Sequence, residues 1–94
     1  MRRRRSQVER VARDGAVSDG IILSAVVHSP RTVMAETVIE VGAPVAGTAR
    51  RYRGQVWGVH AWARPQTAVR VVATPSDRCA IVIAPTGQEI AVRI

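Results

Sequence analysis

The clearest pattern of apolar and polar positions lies near the end of the chain. In Glu89-Ile90-Ala91-Val92-Arg93-Ile94 the apolar Ile90, Val92 and Ile94 alternate with Glu89, Ala91 and Arg93. That period of two marks a strand with one buried face. Before it, Cys79-Ala80-Ile81-Val82-Ile83-Ala84 is a short apolar run, and Pro85-Thr86-Gly87-Gln88 supplies turn chemistry between the two. Proline presets φ for an early turn position and glycine accepts the positive φ that closes a hairpin. Residues 67–74 form a third strand, ended by Pro75-Ser76-Asp77. The last third therefore reads as a three-stranded meander against which the rest packs.

Upstream the pattern changes twice. Ser6 and Glu9 have the spacing of a capping box, and Val8, Val11 and Ala12 share one helical face. A helix is expected over residues 7–14, ended by Gly15, with a basic arm in front of it. Two turns are too few to be stable without docking. Residues 16–20 read as a turn and residues 21–28 as a buried strand stopped by Ser29-Pro30. A second strand runs over residues 32–41, and residues 42–47 form a loop. Residues 48–64 read as two strands pivoting near Gly54 and ending at Pro65. The expected fold is mostly β: a small barrel or sandwich of about six to seven short antiparallel strands, preceded by the short helix and its arm. Residues 1–15 are arm and helix; residues 16–94 are one β-domain.

Composition sharpens this reading. Sixteen Val and seven Ile stand against one Leu and no Phe in 94 residues. β-Branched side chains suit a pleated surface, whereas helices usually bury Leu. The core must come from Val, Ile and Ala, with Tyr52, Trp57 and Trp62 as its only large rings. Such a core is thin, which favours support from a partner or from self-association. All fourteen cations are Arg, and Lys and Asn are absent like Phe. The codons for these three residues are AT-rich, so a GC-rich genome explains the pattern and the preference for Arg is not a sign of nucleic-acid binding.

The net charge of +7 is uneven: residues 1–14 carry six Arg and two acids, the remaining residues eight Arg and five acids. A basic arm of Arg2, Arg3, Arg4 and Arg5 can seek phosphate backbone, an acidic protein surface or an anionic membrane, and it can equally be a solubilising tail. The single Cys79 excludes an internal disulfide and reads as a small buried hydrophobe. No apolar run is long enough to cross a membrane, and no apolar stretch follows the arginines as in a secretory signal. The expected location is cytoplasmic when made.

The most distinctive stretch is residues 50–64, RRYRGQVWGVHAWAR. Cations interleaved with rings are what single-stranded nucleic-acid grooves use. Strand alternation puts Trp57 and Trp62 on opposite faces unless a bulge at Gly58 resets the register. With Val59 and Ala61 beside it, Trp57 is assigned to the core and Trp62 to a rim or interface. Catalytic chemistry has little to rest on: His28, His60 and Cys79 lack the surroundings of a nucleophile, no ligand spacing for a metal occurs, and no phosphate loop follows a strand. No catalytic residue, cofactor, metal or small-molecule substrate is expected.

The run Arg51-Tyr52-Arg53-Gly54-Gln55-Val56-Trp57-Gly58-Val59, followed by short valine-rich strands, resembles the second half of small tailed-phage head–tail connector proteins. The resemblance covers about forty residues. It implies a compact β-barrel in a ring between portal and tail, a non-enzymatic virion part with a charged face near DNA. Capsid decoration proteins share that physical profile.

Two functions follow. The first is a structural assembly protein docking on neighbouring subunits, a homo-oligomer or ring, through its arm, an exposed strand edge and Trp62. The second is a nucleic-acid-binding barrel in which Arg50, Arg51, Arg53 and Arg64 contact phosphates, Tyr52 or Trp62 stacks, and Arg2, Arg3, Arg4 and Arg5 add non-specific attraction. The assembly function ranks first, because the domain without its arm is only mildly basic.

Overall fold

A computed structural model describes residues 2–28 and 35–94, with side chains from Gln7 onward. The expected stop at Ser29-Pro30, the start of the second strand at Thr32, and the side chains of residues 2–6 lie outside the described residues. The elements are α1 (Arg2–Asp14), β1 (Ala16–His28), β2 (Glu36–Val45), β3 (Thr48–Trp57), β4 (Ala68–Ala73), β5 (Cys79–Ile83) and β6 (Glu89–Arg93). Six antiparallel strands close a small barrel in the order β1-β2-β3-β6-β5-β4. The terminal meander is present as expected, with β5 between β4 and β6.

One row of the ladder explains most of the architecture. Ala25 pairs with Ile39, Ile39 with Gly54, Gly54 with Val92, Val92 with Ala80, Ala80 with Ala73, and Ala73 with Ala16. Through the first five of these positions small and large residues alternate, which lets facing side chains share a narrow interior. The row leaves β1 at Ala25 and returns to it at Ala16. Closing a barrel demands such a stagger, because strands tilt relative to the barrel axis. A strand that meets both ends of the stagger has to be long. β1 therefore pairs with β4 over residues 16–21 and with β2 over residues 21–28, with a bulge between Ile22 and Ser24. Residues 16–20, expected as a turn from Ser18, Asp19 and Gly20, are the first half of this strand; pairing with β4 overrides their local preference.

The interior is lined in strict alternation along β2 by Thr37, Ile39, Val41, Ala43 and Val45. Tyr52 and Val56 enter from β3, Val69, Val71 and Ala73 from β4, and Ile90 and Val92 from β6. In β5 the buried run Ala80-Ile81-Val82 is continuous because the strand is covered on both faces. Ala80 and Val82 belong to the barrel core, whereas Ile81 and Val11 are buried outside it, where α1 packs on β5 and β4. The helix begins at Arg2, so Ser6 lies inside it and is not its N-cap; arginine propagates a helix well. It ends at Asp14, and the Gly15 amide donates to the Val11 carbonyl (2.8 Å).

Two further expectations are corrected. Residues 42–45 continue β2 rather than forming a loop. The turn is only Ala46-Gly47, with φ of 50° and 80°, the double positive φ of a tight hairpin whose twist matches its strands. Residues 48–64 hold one strand, not two. Gly54 does not pivot but pairs with Ile39 and Val92, and the strand stops at Gly58, whose φ is 90°. Residues 58–67 then fold back over one end of the barrel. The Ile22 amide donates to the Thr67 carbonyl (2.9 Å) and the Gln66 amide to the Ile22 carbonyl (2.8 Å), fixing this loop to β1.

Candidate interaction surface

The fold-back decides the fate of the rings. Trp62 is 9% exposed and belongs to the core, while Trp57 is 64% exposed, the reverse of the expected assignment. The alternation that gave the expectation does not run through Gly58, because the strand ends there. Tyr52, expected as a stacking residue, is fully buried. Its neighbours Arg51 and Arg53 point outward, so Tyr52 points inward by the pleat. His60 stacks on Trp62 with ring centroids 5.1 Å apart, and its Nε2 lies 2.7 Å from the Trp57 carbonyl oxygen.

The basic residues separate into structural and free ones. Arg50 donates to the carbonyls of Thr74 (3.2 Å), Asp77 (3.3 Å) and Pro75, tying β3 to the β4–β5 connection. Arg10 of α1 grips the same connection by a two-pronged bond to Asp77, with Nε to Oδ2 at 3.3 Å and the second guanidinium nitrogen on Oδ1. The Thr74 hydroxyl donates to Asp77 Oδ2 (2.6 Å) and accepts from the Asp77 amide (3.2 Å). Arg50 is thus a brace and not a phosphate contact. Arg64 Nε donates to the Ala61 carbonyl (2.9 Å). Arg51 lies 3.9 Å from Glu40. Arg53 is exposed, and the side chains of Arg2, Arg3, Arg4 and Arg5 lie outside the described residues.

The Arg10 and Thr74 hydrogen bonds hold the Asp77 carboxyl below its ordinary range, against the opposing effect of desolvation. A carboxyl with a lowered native pKa binds fewer protons folded than unfolded, so it stabilises the fold above the ordinary carboxylate value. That contribution is lost as pH falls through the native value. Asp77→Asn is expected to melt below wild type near neutrality, with a gap that narrows at a pH below the ordinary carboxylate range. An equal gap at both pH values would show that the charge on Asp77 is not what joins α1 to the barrel.

Sequence reasoning missed two surfaces. One is a groove of about 760 Å³ beside α1, where Arg53, Arg78 and Arg93 meet Val8, Val92 and Ile94. Its arginines are distant in sequence, and only the ladder unites them: Arg53 pairs with Arg93, and Arg93 with Cys79. Burial foremost, then the Asp77 carboxylate, pushes the Cys79 thiol above its ordinary value, so it is a protonated thiol near neutrality. The other surface is the far half of β1. Past Ile22 its second side has no backbone partner among the described residues. Leu23, Val26 and Val27 are exposed there, Val26 by 53% and Val27 by 47%. On the outer face His28, Glu36 and Trp57 form one row and Val26, Val38 and Gln55 the next. The apolar run from Ile21 to Val27, interrupted by Ser24, was the signal available for it.

His28 ends β1 in the row of Glu36 and Trp57, His60 holds the Trp57 carbonyl, and Cys79 lies in the groove beside α1. No helix of the described residues is long and apolar enough to cross a membrane. Compared with protein families, curated proteins and solved structures, the chain matches none, and its small closed barrel with an open β1 edge stands on its own geometry.

Proposed function

We propose that this chain is a non-enzymatic assembly protein that docks on neighbouring copies of itself by strand addition along residues 23–28. The observation that carries this is the edge itself, which has no backbone partner among the described residues. Beyond the bulge at Leu23 it holds no charged residue and no proline, and its valines are half exposed. Monomeric β-proteins guard such edges with charge, proline or a covering segment, because free amides and carbonyls template pairing with another chain. Main-chain bonds of a docked strand supply affinity, and Val26 with Trp57 supplies an apolar contact beside them. Trp57 takes the place first given to Trp62.

In its finer form the proposal is a virion component, a connector or decoration protein. The small barrel and the run from Arg51 to Val59 support that form. The nucleic-acid alternative, as first drawn on Arg50, Tyr52 and Trp62, loses support because all three serve the interior or the brace.

Val26→Lys places a charge on the edge while leaving the core untouched. Sedimentation of wild type is expected to reveal oligomers that grow with concentration, and the variant is expected to stay monomeric with an unchanged circular dichroism spectrum. A wild type that sediments as a monomer throughout, or a variant that assembles as well as wild type, would overturn the reading.

A further inference from the structure

The basic groove beside α1 makes no use of the β1 edge and calls for its own explanation. Arg53 and Arg93 occupy directly opposed positions on neighbouring strands, where like charges destabilise a sheet. Arg78 lines the same groove, and its backbone carbonyl accepts from the Ile94 amide (2.9 Å), fixing it beside the end of β6. No Asp or Glu side chain lines the groove. Asp77, next to Arg78 in the chain, is engaged by Arg10 and Thr74, and Glu40, the β2 partner of Arg53, lies 3.9 Å from Arg51. None of Arg53, Arg78 and Arg93 has an ion-pair partner among the described residues. Three guanidiniums are thus collected in one trough, two of them in a repulsive register, with no Asp or Glu side chain paired to them among the described residues.

We propose that this groove binds the phosphate backbone of a nucleic acid, without sequence preference. The planar fork of arginine fits phosphate oxygens in pairs. The helix that borders the groove at Gln7 and Val8 begins at Arg2, and the sequence ahead of Gln7 adds four consecutive arginines to the positive charge of the chain. A ligand of dense, regular negative charge matches such a trough better than a peptide with scattered acids. No aromatic ring lines the groove. Stacking on bases is absent from this site, and phosphate contacts by themselves carry no sequence information. This site differs from the grouping of Arg50, Tyr52 and Arg53 along one strand: it gathers Arg53, Arg78 and Arg93 from three segments.

The test is fluorescence anisotropy of a mixed-sequence DNA duplex with the full chain over a range of salt concentrations. Wild type is compared with the triple variant Arg53→Gln, Arg78→Gln, Arg93→Gln. Each lost phosphate contact reduces the log–log salt slope by about 0.9, so the triple variant should bind with a slope smaller by nearly three. Affinity at low salt should fall by at least about tenfold. An unchanged slope and affinity would overturn the proposal and assign any binding to the arm. Polyglutamate displacing the duplex at equal charge concentration would overturn it in favour of an acidic protein partner. Cys79 gives a readout that needs no substitution. Because it lines the groove, bound duplex should slow its alkylation by iodoacetamide several-fold, and an unchanged rate with duplex bound would also count against the site.

Discussion

Tyr52→Ala is expected to cost about 3–5 kcal/mol, as large-to-small changes at buried aromatic sites do. A domain of this size holds roughly 5–15 kcal/mol in total, so the variant should be largely unfolded under mild denaturant. The size of the loss follows from what surrounds the ring. Tyr52 is the largest fully buried side chain, and around it the core is Val, Ile and Ala apart from Trp62. Short β-branched side chains are stiff at χ1 and cannot swing into the space left behind. Tyr52→Phe separates ring from hydroxyl. The hydroxyl is buried without a hydrogen-bond partner among the described residues, so removing it should leave stability unchanged or raise it by about 1 kcal/mol. Urea unfolding followed by circular dichroism measures both. A Tyr52→Phe variant as damaged as Tyr52→Ala would mean that the ring is not the structural element described here.

Gly54→Ala is the second large effect. A methyl group at position 54 would lie 2.5 Å from Val92 Cγ1 and 2.9 Å from the Ala91 carbonyl oxygen, closer than any real contact of this kind. Ordinarily a strand would shift to make room. Here β3 and β6 are joined only at Arg53 with Arg93 and Gly54 with Val92, so a shift at this place opens the barrel seam. The expected loss is about 1–3 kcal/mol, the usual range for overpacking. Amide exchange in β6 should accelerate with it. Val92→Ala removes the nearer obstacle, and the double variant should recover part of the loss; strict additivity of the two changes would place the strain elsewhere.

How much of this was legible in the sequence depended on the range of each interaction. β4, β5 and β6 could be read because each pairs with the next through a short turn and because alternation holds along them. β1 could not, since its first half is a strand only by pairing with residues 47 to 57 positions away. The Trp assignment failed at one glycine: alternation was extended past Gly58, where the backbone turns and brings Trp62 back into the interior. Tyr52 was open to a better reading, because outward Arg51 and Arg53 require an inward residue between them. The groove was not legible, since Arg53, Arg78 and Arg93 are neighbours only across the closed sheet. The free edge was half legible: the valine run was visible, and the stagger that leaves its second side unpaired was not.

The Ala46-Gly47 hairpin ties this backbone to the residue types that the chain uses. Ala46 and Gln66 are the described non-glycine residues with positive φ, at 50° and 76°. Asparagine is the side chain that best tolerates this region, and the chain contains none. Left-handed backbone costs an ordinary residue roughly 1–2 kcal/mol. A chain without Asn therefore leaves two turns carrying a backbone cost that Asn at position 46 or 66 would lower. Part of this domain's thermal margin is thus set by which residue types stand at its two left-handed positions, apart from how well its interior packs.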